Sequence, residues 1–136
     1  MVTEYLTKPP RKYWVGVSLA SAFVLSGIVA TLGIIFRPAA ETTAQLGLSP
    51  DLIFWLLLGV AIVGEVGGIL GLVLRRTWAT SFFGLSLLFT PLFYAYVLVK
   101  GTGGSIIGPV IITALHAALL WFSIVAGRRG WTLRGV

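Results

Sequence analysis

The chain has 136 residues, 57% of them hydrophobic and only 10% charged, with a mean hydropathy of +1.00. A soluble domain of this length carries roughly 25% charged residues, so a water-facing surface cannot be built here and lipid must be the main solvent. The net charge of +6 would suggest nucleic acid in a soluble protein, but the basic residues flank apolar segments and no nucleic-acid partner is expected; with no cysteine, disulfides, thiol catalysis and thiolate metal sites are excluded.

A transmembrane helix needs ~20 largely apolar residues. Four such spans with short connections use nearly the whole chain, which is expected to form a single transmembrane domain over 1–136. Residues 1–12 form a polar arm, and Pro9-Pro10 prevents helix from extending backward through it. The first span runs from about Tyr13 to Phe36, ahead of Arg37-Pro38. Ala20-Ser21-Ala22 resembles a cleavage site, but the apolar run continues beyond the ~7–15 residues of a signal core, so a retained helix is expected. Residues 37–49 are expected as the one substantial loop. Ser49-Pro50-Asp51 marks a helix start, with a side-chain cap, a proline in the first turn and an acid near the positive dipole end. The second span covers about 51–74 and stops at Arg75-Arg76. A very tight turn leads to the third, about 78–99, which ends at Lys100 and the turn residues Gly101 to Gly104. The fourth covers about 105–126 and closes at Gly127-Arg128-Arg129-Gly130.

Lys8, Arg11, Lys12, Arg75, Arg76, Arg128, Arg129 and Arg134 fall on one side of this all-α four-helix bundle, and only Arg37 and Lys100 on the other. The bias places both termini inside. Tyr13, Trp14, Trp78, Trp121 and Phe122 near one face, and Phe36, Phe54, Trp55, Tyr94 and Tyr96 toward the other, suit interfacial aromatic belts. The inner basic residues are expected to meet anionic lipid.

Glu65 lies near the middle of the second span, where an acid costs of order 2.5–3.5 kcal/mol on insertion scales. It must face a partner, a cavity or water, or be protonated. A proton-titrating or cation-binding site and a neutral acid hydrogen-bonded to a neighbouring helix are both open. His116 lies near the middle of the fourth span. At a 1.5 Å rise, Glu65 is roughly 21 Å below Asp51 and His116 roughly 17 Å below Ser105, so direct contact is geometrically open and the two could relay a proton. Taken alone, His116 is expected to be satisfied by a hydroxyl or carbonyl. Ser26, Thr90 beside Pro91, and Tyr94 a turn away fall at similar depth, and the proline can free a backbone carbonyl. Together these residues form a polar layer drawn from all four helices, suited to a small cavity or to a hydrogen-bonded packing layer.

Gly64, Gly67, Gly68 and Gly71 project within an arc of about 100° and form small-xxx-small pairs that permit close helix approach. The stripe Ser18, Ala22, Ser26 and Ala30 on the first helix is the expected partner, placing Ser26 near Glu65; the alternative use of the glycine face is homodimerisation. Gly101 to Gly104 lacks the lysine of a phosphate-binding loop. No metal-ligand spacing, nucleophile–base pair or paired carboxylate is present, so no catalytic residue, metal or cofactor is expected, and one histidine cannot supply bis-histidine haem ligation within a monomer.

Lys8-Pro-Pro-Arg-Lys-Tyr-Trp14, Leu74-Arg-Arg-Thr-Trp-Ala79, Leu85-Ser-Leu-Leu88 and Ala118-Leu-Leu-Trp-Phe122 resemble a family of small bacterial four-helix inner-membrane proteins that often carry the label "sugar transporter". The resemblance spans nearly the whole chain but supplies no catalytic or substrate residues. It implies a multi-pass protein of the bacterial inner membrane. Two functions are then expected to compete. One is an oligomeric, proton-linked transporter or permease of a small solute using Glu65, with His116 and Tyr94 shaping the site. The other is a non-transporting accessory subunit or assembly factor that binds membrane proteins through its glycine face. An enzyme is the least expected.

Overall fold

The computed structural model describes residues 8–101 and 104–132. Among these the helices are α1 (Arg11–Ile35), α2 (Ala39–Leu46), α3 (Leu52–Val73), α4 (Ala79–Lys100) and α5 (Ile107–Arg128). Four of them, α1, α3, α4 and α5, are long and apolar enough to cross a membrane. The protein is an all-α four-helix bundle of the multi-pass membrane type, and each long helix begins and ends within two residues of its expected span. Arg134 and most of the stretch between Gly101 and Gly104 lie outside the described residues.

Connection chemistry sets the boundaries. α1 starts at Arg11 directly after Pro10, whose extended backbone (φ −68°, ψ 159°) leads into the first turn. The expected loop 37–49 is corrected: it contains α2, which begins after Pro38, carries Glu41 in its first turn and ends at Gly47 in the left-handed conformation (φ 66°). Alanines and an acid at the positive dipole end favour such a short helix. The start of α3 is capped by Asp51, which accepts a hydrogen bond from the Phe54 N–H at 2.9 Å. Pro50 lies before this cap, not in the first turn. The other Asp51 oxygen accepts from the Tyr96 hydroxyl on α4. Leu48, Phe54 and Phe93 form a buried cluster beneath.

α3 ends in a Schellman turn. The Arg75 N–H donates to the Leu72 carbonyl at 3.0 Å and the Arg76 N–H to the Gly71 carbonyl at 2.7 Å, with Arg75 left-handed at φ 55°. α5 ends the same way, with Gly130 at φ 66° and bonds from Gly130 to Gly127 and from Trp131 to Ala126. These two turns meet, since Arg75 Nε donates to the Trp131 carbonyl at 2.8 Å. Buried Tyr13 completes this end by donating to the Leu72 carbonyl at 2.5 Å and stacking on Phe122.

The glycine face has a different partner from the expected one. A Cβ on Gly64 would fall 2.7 Å from the Ser86 backbone nitrogen, one on Gly68 would strike the Phe83 ring, and one on Gly71 would lie 2.7 Å from the Ala79 Cβ. The face therefore packs on α4, not on the α1 stripe, and it is covered within the chain rather than left for a second copy. α1 instead buries Tyr13, Val17, Ala20 and Val24, while Ser18, Ala22, Ser26 and Ala30 are exposed. The five-residue connection between α3 and α4 accounts for the outcome, because a connection that short makes them antiparallel neighbours.

Candidate functional site

Four helices deliver side chains to one cavity of about 340 Å³, and Ser26, Glu65, Thr90, Tyr94 and His116 all line it. The sequence-expected polar layer is thus brought together around one space. α3 contributes Glu65 and Ala61, α4 contributes Thr90, Phe93 and Tyr94, and α5 contributes Ile112 and His116. α1 closes the remaining side with Phe23, Ser26, Gly27 and Ala30. Ser26 and Ala30 are also exposed, so the α1 wall of the cavity is one residue thick against the outer, lipid-facing side of the bundle.

The centre is an acid–imidazole pair. His116 Nε2 lies 2.7 Å from Glu65 Oε1, and His116 Nδ1 lies 2.7 Å from the Ile112 carbonyl one turn earlier on α5. A carbonyl can only accept, so Nδ1 carries a hydrogen. The contact at Nε2 then needs one further proton, held either by the imidazole or by the carboxylic acid. Both states are neutral overall. If the proton leaves, a lone pair faces a carboxylate at hydrogen-bonding distance and the contact becomes repulsive. Burial is nearly complete for His116 at 2% and close to it for Glu65 at 9%, which sharpens the penalty for any net charge.

The surroundings leave part of this pair unused. Phe23 packs its ring edge-on to the imidazole, with centroids 5.3 Å apart and planes 76° apart. Glu65 Oε2 faces Gly27, whose Cβ position is 3.4 Å away, so α1 presents backbone and no donor there. The Thr90 hydroxyl is buried without a hydrogen-bond partner. Ser26 does not reach Glu65 as expected; its hydroxyl donates to the Phe23 carbonyl of its own helix at 2.6 Å. His116 has the carbonyl partner expected for a lone histidine and Glu65 in addition. α4 continues through Pro91 without interruption.

Phe23, Gly27, Ala61 and Phe93 are wall residues that sequence reasoning did not select. Phe23 is three residues before Ser26, and Phe93 three after Thr90, each on the helical face of a polar residue already selected, so those polar positions pointed to them. Gly27, one residue after Ser26 and so about 100° round the helix, had no such signal. Among the described residues no group of three metal-ligating side chains occurs. No family model, curated protein or solved structure matches this chain.

Proposed function

We propose that the protein is a small proton-linked permease of the bacterial inner membrane, with both termini cytoplasmic, moving a small solute through the cavity at Glu65 and His116. The observation that supports this most is the pairing of a membrane-embedded carboxylate with an imidazole in the wall of one cavity lined by all four long helices. A hydrogen-bonded packing layer would consume its polar atoms, whereas here the Thr90 hydroxyl on the cavity wall has no hydrogen-bond partner, and His116 bonds Glu65 through Oε1, leaving Oε2 beside Gly27. A site that binds and releases a solute needs such spare capacity. The pair supplies the proton link, because its hydrogen bond survives only while one proton is shared across it. Four helices enclose little space, so the working unit is a homo-oligomer. The "sugar transporter" resemblance agrees with transport but not with a sugar, for which the wall has too few polar groups.

The accessory-subunit reading loses its main support, since the glycine face is already occupied by α4. The test is solute-driven proton movement in liposomes containing purified protein and a trapped pH dye. Wild type is expected to acidify or alkalinise the lumen when a solute gradient is imposed, and Glu65→Gln is expected to abolish the signal. Proton movement that persists in Glu65→Gln removes Glu65 from the mechanism.

A further inference from the structure

The chemistry of the acid–imidazole pair constrains what can share the cavity with it. His116 Nδ1 is committed to the Ile112 carbonyl, so Nε2 is the only ring atom that can exchange a proton with Glu65. Of the described residues on the cavity wall, only Glu65, His116 and Tyr94 are ionisable. α5 presents His116 to the carboxylate, α4 presents Thr90 and the Tyr94 phenol, and α1 presents Phe23, Ser26 and Gly27, which carry no charge. Among the described residues no arginine or lysine reaches this wall, so there only the shared proton balances the Glu65 charge.

From this balance, and resting on the proposed transport reading, we infer that the cavity takes an organic monocation with an apolar body, and that each cation bound displaces the one proton held by the pair. A neutral pair plus a cation would leave an uncompensated charge in a low-dielectric wall, which is costly. Loss of the proton restores neutrality. The His116 Nε2–H bond breaks (or the Glu65 O–H bond, if the acid holds the proton), the proton passes to water, and the carboxylate faces the cation. The imidazole remains neutral, with Nδ1–H still donating to Ile112. Two acceptors left 2.7 Å apart repel, which turns the carboxylate away from His116 and toward the cavity and its new partner. The walls suit such a ligand. Phe23, Phe93 and Tyr94 offer aromatic rings to a cation, and Ala61 and Ile62 offer apolar contact to its body.

The test uses detergent-solubilised full-length protein and benzyltrimethylammonium, whose charge cannot be lost, with benzyl alcohol as the neutral comparison. Calorimetric titration in buffers of different ionisation enthalpy counts the protons released. The expected result is one proton released per cation bound, with apparent affinity rising about tenfold per pH unit while the pair is protonated. Benzyl alcohol should bind more weakly and release none, and Glu65→Gln should lose cation binding at least tenfold. Cation binding without proton release overturns the exchange, and this outcome is read on wild type whether or not Glu65→Gln folds. Equal or tighter binding of benzyl alcohol, or no cation binding at all, overturns the ligand class. One-for-one exchange in detergent without flux in liposomes leaves this inference standing and removes the permease reading. Proton-linked flux of neutral solutes without cation binding does the reverse.

Discussion

Inside lipid a polar atom cannot fall back on water, so its partners have to come from the protein, and depth decides which residues sequence can assign. Glu65 and His116 are legible because counting residues from the ends of two parallel spans puts them at one level. Asp51 is legible as the acid at the start of α3, but the tertiary partners of Tyr13 and Asp51 are not, since they are a backbone carbonyl on α3 and a tyrosine on α4, chosen only by packing. Their contributions are measurable. Tyr13→Phe leaves the ring packing on Phe122 but removes the donor to Leu72, and should lower unfolding stability in detergent by about 0.5–1.5 kcal/mol. Asp51 behaves differently because it titrates. Donation from Tyr96, and then from the Phe54 N–H, holds its carboxyl below the usual range. The folded pKa is lower than the unfolded one, so the unfolded state binds the proton first as pH falls. The stabilisation is therefore complete above the ordinary value of about 3.9 and disappears as pH falls through the folded value. Thermal unfolding followed from pH 6 down to pH 3 should show a loss of stability at the acid end that is smaller in Tyr96→Phe. An equal acid loss in that variant would dissociate Asp51 from Tyr96.

At the scale of helices, the glycine pattern announces a close approach but not its partner, because α1 and α4 both offer candidate faces. The tight turn after α3 carried the missing information. The helix within 37–49 is likewise hidden in the sequence, since eight residues give too short a pattern to establish a period. The crowding now ranks substitutions that sequence would treat alike. At Gly64 the added methyl meets the backbone of α4, at 2.7 Å from Ser86 N and 2.8 Å from Phe82 O, whereas at Gly67 it meets the Phe82 ring. A backbone cannot move aside without shifting the helix, but a half-buried ring can rotate. Gly64→Ala should cost about 1–3 kcal/mol and Gly67→Ala less, while Gly84→Ala, with nothing within 4 Å, should be neutral or stabilising by roughly 0.5–1 kcal/mol. A denaturation series across the three variants checks the order. The turn itself supplies a fourth comparison. Arg75 is left-handed, a conformation that costs a non-glycine residue of order 1 kcal/mol, yet its Nε holds the Trp131 carbonyl. Both Arg75→Ala and Arg75→Gly lose that bond, but only glycine relieves the backbone, so the glycine variant should be the more stable by about 1 kcal/mol.

Across the whole molecule, the two ends are built differently, and the difference bears on how the protein sits in a membrane. One end gathers the start of α1, the α3–α4 turn and the end of α5 into a joined unit: Tyr13, Arg75 and Trp131 are linked by hydrogen bonds and ring contacts, and Lys12 and Arg129 lie over the Trp131 ring at 5.5 and 5.2 Å. Basic side chains held over an interfacial tryptophan suit an anionic headgroup layer. The opposite end carries α2, with Glu41 and Asp51 beside the sparse cations Arg37 and Lys100. Lysine and arginine near span ends are retained on the cytoplasmic side during insertion, so the joined basic end should face the cytoplasm. The chain contains no cysteine, which allows single-cysteine probes to be read without background. Ala40→Cys, on exposed α2, should react with a membrane-impermeant maleimide in intact cells stripped of their outer barrier, whereas Thr77→Cys, in the α3–α4 turn, should react only after the inner membrane is opened. The reverse pattern would place the termini outside. Labelling of both sites in intact cells would mean a mixed orientation, and shifting Arg75 and Arg76 to alanine should then increase that mixture if these two charges set the topology.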